Sequence, residues 1–148
     1  MKWGSSMSQY INFYIKEKSG KRIPIGSYSR NSILFNHFRD SVPFEKTILL
    51  DNNVLEQIIH SMENKVIEEK QLISDIQEHI KDICNYNNSA SEKDGLILSC
   101  RETIKELNEY IDEYKYAMGV VRTYCDINDS LKYSEEEEWE GIEAGVEA

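Results

Sequence analysis

Nine positions between residues 97 and 125 are apolar and evenly phased: Ile97, Cys100, Ile104, Leu107, Ile111, Tyr114, Met118, Val121 and Cys125. Their spacing alternates three and four without a miss, which is the seam of a heptad helix. A second seam runs upstream through Leu55, Ile59, Met62, Val66, Glu69, Ile73, Ile76, Ile80 and Ile83, with Glu69 as its one polar member. Two such helices, predicted over about 53–85 and 91–125 and joined by a polar loop, fold back as a long antiparallel coiled-coil hairpin. Pairing residues whose numbers sum to about 180 sets Ile83 against Ile97, Ile73 against Leu107 and Leu55 against Cys125. Each helix is then roughly 45 Å long. A carboxylate on a packed seam needs a partner, so Glu69 is expected to bend outward or to accept a hydrogen bond from Tyr110 or Tyr114.

The pattern before residue 50 has period two instead. Ile11, Phe13 and Ile15 alternate with Tyr10, Asn12 and Tyr14, and Ile23 and Ile25 share a face on a return strand. Glu17-Lys18-Ser19-Gly20 supplies the turn, with Gly20 free to take a positive φ. Pro24 cannot donate to a ladder, which places the return strand at an edge. A short helix is predicted over 32–40, with Leu34, Phe35 and Phe38 on one side, and Pro43 bars its continuation. Residues 47–50 read as a third short strand or an extended linker. Asn53 with Glu56 resembles a capping box for the first long helix. Ser89 or Ser91 is positioned to cap the second.

The fold class is therefore mostly α with a small β part. Its predicted parts are a head at 7–50 (β-hairpin plus short helix), an antiparallel helical hairpin at 51–129 and an acidic tail at 130–148. The tail holds Glu135, Glu136, Glu137, Glu138 and Trp139 and reads as disordered. Its alternative is an acidic-aromatic segment folding onto a basic surface. Residues 1–6 read as an addition ahead of a natural start at Met7.

Apolar residues exceed what a two-helix seam needs at the end nearest the head. Val54, Ile58, Ala117, Val120 and Tyr124 flank it there and form a candidate interaction patch. The head, nearest to them and with an apolar face of its own, is expected to dock there; the rival is self-association through the same patch.

Charge sharpens this division. The chain carries a formal −10, yet residues 1–50 hold eight Lys or Arg against three acids, and the remainder holds nine against 24. Lys16, Lys18, Lys21, Arg22 and Arg30 make the head basic; Tyr10, Tyr14 and Tyr28 stand beside them. The outer helix faces are acidic, with Glu102, Glu106, Glu109 and Glu113 on one and Glu68, Asp75, Glu78 and Asp82 on the other.

No apolar run reaches the roughly 20 residues of a membrane span. No secretory signal is recognisable. Three cysteines, Cys84, Cys100 and Cys125, point to free thiols in a reducing, cytoplasmic setting. His37, His60 and His79 are too scattered to share a metal, and no nucleophile–base spacing stands out. The expected protein is thus not an enzyme, takes no cofactor or metal, and binds another protein through a coiled-coil hairpin, with homo-oligomers possible. One alternative is an acidic inhibitor that imitates nucleic-acid charge. A second is nucleic-acid binding by the basic head, which net −10 disfavours. Richness in Ile, Asn, Lys and Tyr is usual for an AT-rich bacterial or phage genome.

Overall fold

The computed structural model describes residues 9–133 and 138–147. The chain is mostly helical with one four-stranded antiparallel sheet. It divides into two compact units: Met1–Met62 with Ala117–Ala148, and Glu63–Tyr116. Expectations for residues 1–6, and for Glu135, Glu136 and Glu137, fall outside the described residues.

The first unit is built on the sheet. Strands β1 (Tyr10–Glu17) and β2 (Arg22–Ser29) form the expected hairpin, turned at Gly20 with φ 96°. The turn closes through Gly20 N–H to the Glu17 carbonyl at 3.0 Å and Glu17 N–H to the Lys21 carbonyl at 2.9 Å. Helix α1 (Ile33–Phe38) starts at Ser32, whose hydroxyl accepts the Phe35 N–H at 3.1 Å and donates to the Ser29 carbonyl at 2.6 Å. The segment β3 (Thr47–Leu50) is a strand rather than a linker.

The 130–148 segment is where sequence and structure part. Trp139–Glu147 is not a disordered tail but strand β4, and the sheet order is β2-β1-β4-β3. It lies antiparallel to β1, with Ile11 opposite Val146 and Phe13 opposite Ala144, and antiparallel to β3, with Leu50 opposite Ile142. Ile142, Ala144 and Val146 alternate along it and are buried, so period-two burial drives it inward despite its acids. β2, which holds Pro24, is an edge strand as expected.

One face of the sheet meets α1 at Phe38 and the long helix that carries Tyr124. Phe13 is fully buried at the centre. Its ring lies 5.0 Å from Phe38, 4.8 Å from Tyr124 and 5.9 Å from Tyr28. Gly26 makes room there: a β-carbon on it would run into the Tyr124 hydroxyl and stand 2.9 Å from the Tyr28 ring.

The long helices are α2 (Asn52–Ile83) and α3 (Ala90–Lys132). The cap of α2 is Asp51, whose carboxylate accepts the Val54 N–H at 3.0 Å, and not Asn53 with Glu56. At the start of α3 the Ser89 hydroxyl accepts the Glu92 N–H at 3.3 Å. α3 outruns its predicted end at residue 125, because the polar residues that suggested fraying are tied down. Asn128 donates to the Leu50 carbonyl at 2.8 Å and accepts the Ile142 N–H at 3.1 Å. Its amide also donates to Asn52 Oδ1 at 3.1 Å, while the Asn52 amide donates to Asp129 Oδ1 at 2.8 Å.

In the second unit Val66, Ile83, Ile111 and Tyr114 are buried, whereas Ile73, Ile76, Ile80, Ile97, Ile104 and Leu107 are only half-buried. Glu69 is satisfied within its own helix, by Lys65 Nζ at 3.4 Å one turn earlier. Lys93 Nζ donates to the Cys84 carbonyl at 3.2 Å across the loop.

Candidate functional site

Of the five patch residues, Ile58, Ala117 and Tyr124 are buried, while Val54 and Val120 are half-buried. Tyr124 is covered by the head of the same unit. Phe13 packs on the Tyr124 ring, and the Tyr28 and Tyr124 hydroxyls meet at 3.4 Å. Those three residues are therefore core and offer nothing to a partner. The docked head was one of the two outcomes open to the patch.

The basic head is also partly used up. Glu143 on β4 is 2% exposed and draws in both of its neighbours' cations. Lys16 Nζ lies 3.3 Å from Glu143 Oε2 and 3.5 Å from Glu140 Oε2. Arg22 Nε lies 2.7 Å from Glu143 Oε1, an ion contact whose N–H is not aligned as a hydrogen bond. The guanidinium of Arg22 also sits 5.4 Å over the Tyr14 ring. The hydrogen bond and then the charge of Glu143 raise the Lys16 pKa above its ordinary value, and Glu140 adds to this. So the acidic segment does fold onto the basic strands, through Glu140 and Glu143. Trp139 is half-buried on β4, and the Glu138 carbonyl accepts the Lys18 N–H at 2.7 Å. Lys18, Lys21 and Arg30 remain exposed.

Two open clefts border the sheet. One, of about 560 Å³, includes Asp51, Asn52, Asn128 and Asp129, whose polar groups already bond the strands and helices that meet there. The other, of about 410 Å³, lies where β1 begins and β2 ends. Arg30 and Arg39 line it with Gln9, Asn31 and Asn36, over Phe35, Val42, Phe44 and Val146. The Arg30 N–H donates to the Gln9 carbonyl at 2.9 Å, which joins two of its walls. The third wall is the turn carrying Phe44. Glu45 there has φ 58°, a left-handed conformation uncommon for a residue with a β-carbon. The turn is held by Lys46 N–H to the Pro43 carbonyl at 3.3 Å and Glu45 N–H to the Val146 carbonyl at 3.1 Å. Phe44 is left 50% exposed. Of these residues the sequence marks Arg30 as part of the basic head and Phe35 as part of the apolar side of α1. The others come from separated segments with no common spacing, so no linear signal marks them.

The remaining chemistry-bearing residues are dispersed. His37 Nδ1 is 3.3 Å from the Ser61 hydroxyl, and the His79 ring lies 6.4 Å from Tyr86. Among the described residues no group of three or more His, Cys, Asp or Glu is placed to hold a metal ion. The cysteines are free; burial pushes the Cys125 thiol above its ordinary pKa, while Cys84 is exposed. Burial likewise raises the Tyr114 hydroxyl, with Tyr110 adding to it, and Lys65 opposes the shift. No helix among the described residues is long and apolar enough to cross a membrane.

Comparison of the chain with models of protein families, with curated proteins and with solved structures finds no match in any of the three.

Proposed function

We propose that this is a non-enzymatic interaction or adaptor protein, working through an antiparallel coiled-coil hairpin formed by α2 and α3. The observation that carries the reading is the unfinished burial of residues 63–116. Six seam residues there are only half-covered, and Ile67 (64%), Leu72 (45%), Leu96 (43%) and Leu98 (58%) are exposed. Two helices alone bury a thin core, and apolar surface left over in this way is a docking surface for another protein or a second copy. The electrostatic influence of Lys65 on Tyr114 and the bond from Lys93 to the Cys84 carbonyl both favour an antiparallel return, since both pairs sum to about 180.

Light scattering over a range of concentrations, with capture of partners from the source cell, tests this. Self-association or capture is expected for the full chain, and loss of it for Leu72→Lys with Leu96→Lys. A strictly monomeric chain that captures nothing, or capture indifferent to both substitutions, would sink it.

Charge mimicry is the second reading. It draws on the solvent exposure of Glu102, Glu106, Glu109 and Glu113 along one helix. Capture that collapses in moderate salt favours it over an apolar interface. Nucleic-acid binding by the strands of the head loses support, because Lys16 and Arg22 are already paired with Glu140 and Glu143.

A further inference from the structure

From the cleft at the start of β1 we infer a binding site for a nucleotide unit, that is, a phosphate joined to a planar base. The inference is independent of the helical reading. The chain has 27 acidic residues and 17 Lys or Arg, yet this cleft is lined by two arginines and no carboxylate. The acids beside it in sequence are engaged elsewhere or stand in solvent. Glu147 accepts from the Asn12 amide at 3.2 Å, and Asp40, 95% exposed, reaches Arg39 only at 4.0 Å. That last contact is a weak surface pair. Arg30 has no ion pair among the described residues. Two guanidinium forks on one cleft suit the fixed geometry of phosphate oxygens.

The second half of the ligand follows from Phe44. A half-exposed aromatic ring on a turn with a left-handed residue is an arrangement that costs stability, and such outliers gather at ligand sites. A base stacks on a ring of this kind irrespective of its sequence. The amides of Asn31 and Asn36 line the same cleft and can donate to and accept from a base edge. At about 410 Å³ the cleft falls in the ordinary range for small-ligand sites, roughly 300–1,000 Å³.

The test uses the full chain, with AMP, inorganic phosphate and a short single-stranded oligo-dA as probes, and calorimetry as readout. AMP is expected to bind more tightly than phosphate. Arg30→Ala and Arg39→Ala should each weaken it about tenfold or more, Arg39→Lys less so, and Phe44→Ala should reduce the advantage of AMP over phosphate. Lys18→Ala with Lys21→Ala is the control and should change AMP binding little. Circular dichroism on each variant separates lost binding from lost fold. If oligo-dA binds far more tightly than AMP with the same sensitivities, the nucleotide unit belongs to a strand, and each arginine removed should lower the salt slope by about one. The inference falls if neither AMP nor oligo-dA binds at millimolar concentration. It falls equally if phosphate binds as well as AMP, or if folded Arg30 and Arg39 variants bind unchanged.

Discussion

Asn128 carries one amide and uses both ends of it. The NH2 group serves the Leu50 carbonyl and Asn52, and the oxygen takes the Ile142 N–H, so one side chain on α3 ties β3, β4 and α2. Asn128→Leu keeps similar bulk and leaves those backbone groups without a partner. The expected loss is about 2 kcal/mol, seen as a melting temperature lowered by several degrees. Lys16 makes a different kind of prediction. Its pKa is raised by the Glu143 hydrogen bond and charge, so its contribution is complete below the ordinary lysine value of 10.5 and fades as the pH climbs through the higher folded value. Thermal melts of wild type and Lys16→Met should differ at neutral pH and converge on the alkaline side. A gap that is constant with pH would show that the ion pair contributes nothing.

At the scale of elements, the contrast between α3 and β4 shows what a linear pattern carries. The α3 helix was legible because apolar residues recur at steps of three and four over many turns, and local periodicity is enough to place such a helix. The continuation to Lys132 was not, since Asp126, Asn128 and Asp129 favour fraying until Asn128 meets strands far away in the chain. β4 contains its own alternation at Ile142, Ala144 and Val146, but Glu140, Gly141, Glu143 and Gly145 are poor strand formers and mask it. Glu143 becomes tolerable only beside Lys16 and Arg22, more than a hundred residues away. The patch at Tyr124 was legible as apolar surplus, and so was its cover by the head, whose Phe13 ring packs on Tyr124. The arginine cleft was invisible, because Gln9, Arg30, Arg39 and Phe44 meet only in three dimensions. Glu69 bears on α2 itself. Its Lys65 partner is partly solvated at 42% exposure, so the pair contributes little. If α2 and α3 are a coiled coil, Glu69→Leu extends the apolar seam. The expected gain is about 1 kcal/mol, measured as a higher denaturant midpoint.

At the scale of the whole molecule, the first unit rests on β4, which lies between β1 and β3. Both of its edges are paired, so removing it strips β1 and β3 of a neighbour at once and opens the cover of Ile11, Phe13 and Leu50. A chain ending at Tyr133 should lose cooperative unfolding of the first unit and the dispersed amide signals of its strands. Retention of both would show that β4 is an accessory. For the same reason, cutting away the acidic segment cannot probe charge mimicry, because it takes a central strand with it. Point changes at Glu135, Glu136 and Glu137 are the usable alternative. The position of β4 also sets an order of events during synthesis. It leaves the ribosome after every other piece of the sheet, and Tyr10 must wait for Glu147. Until then β1 and β3 have open backbone edges and a bare greasy face, which is the condition in which nascent chains seek chaperones or stick to one another.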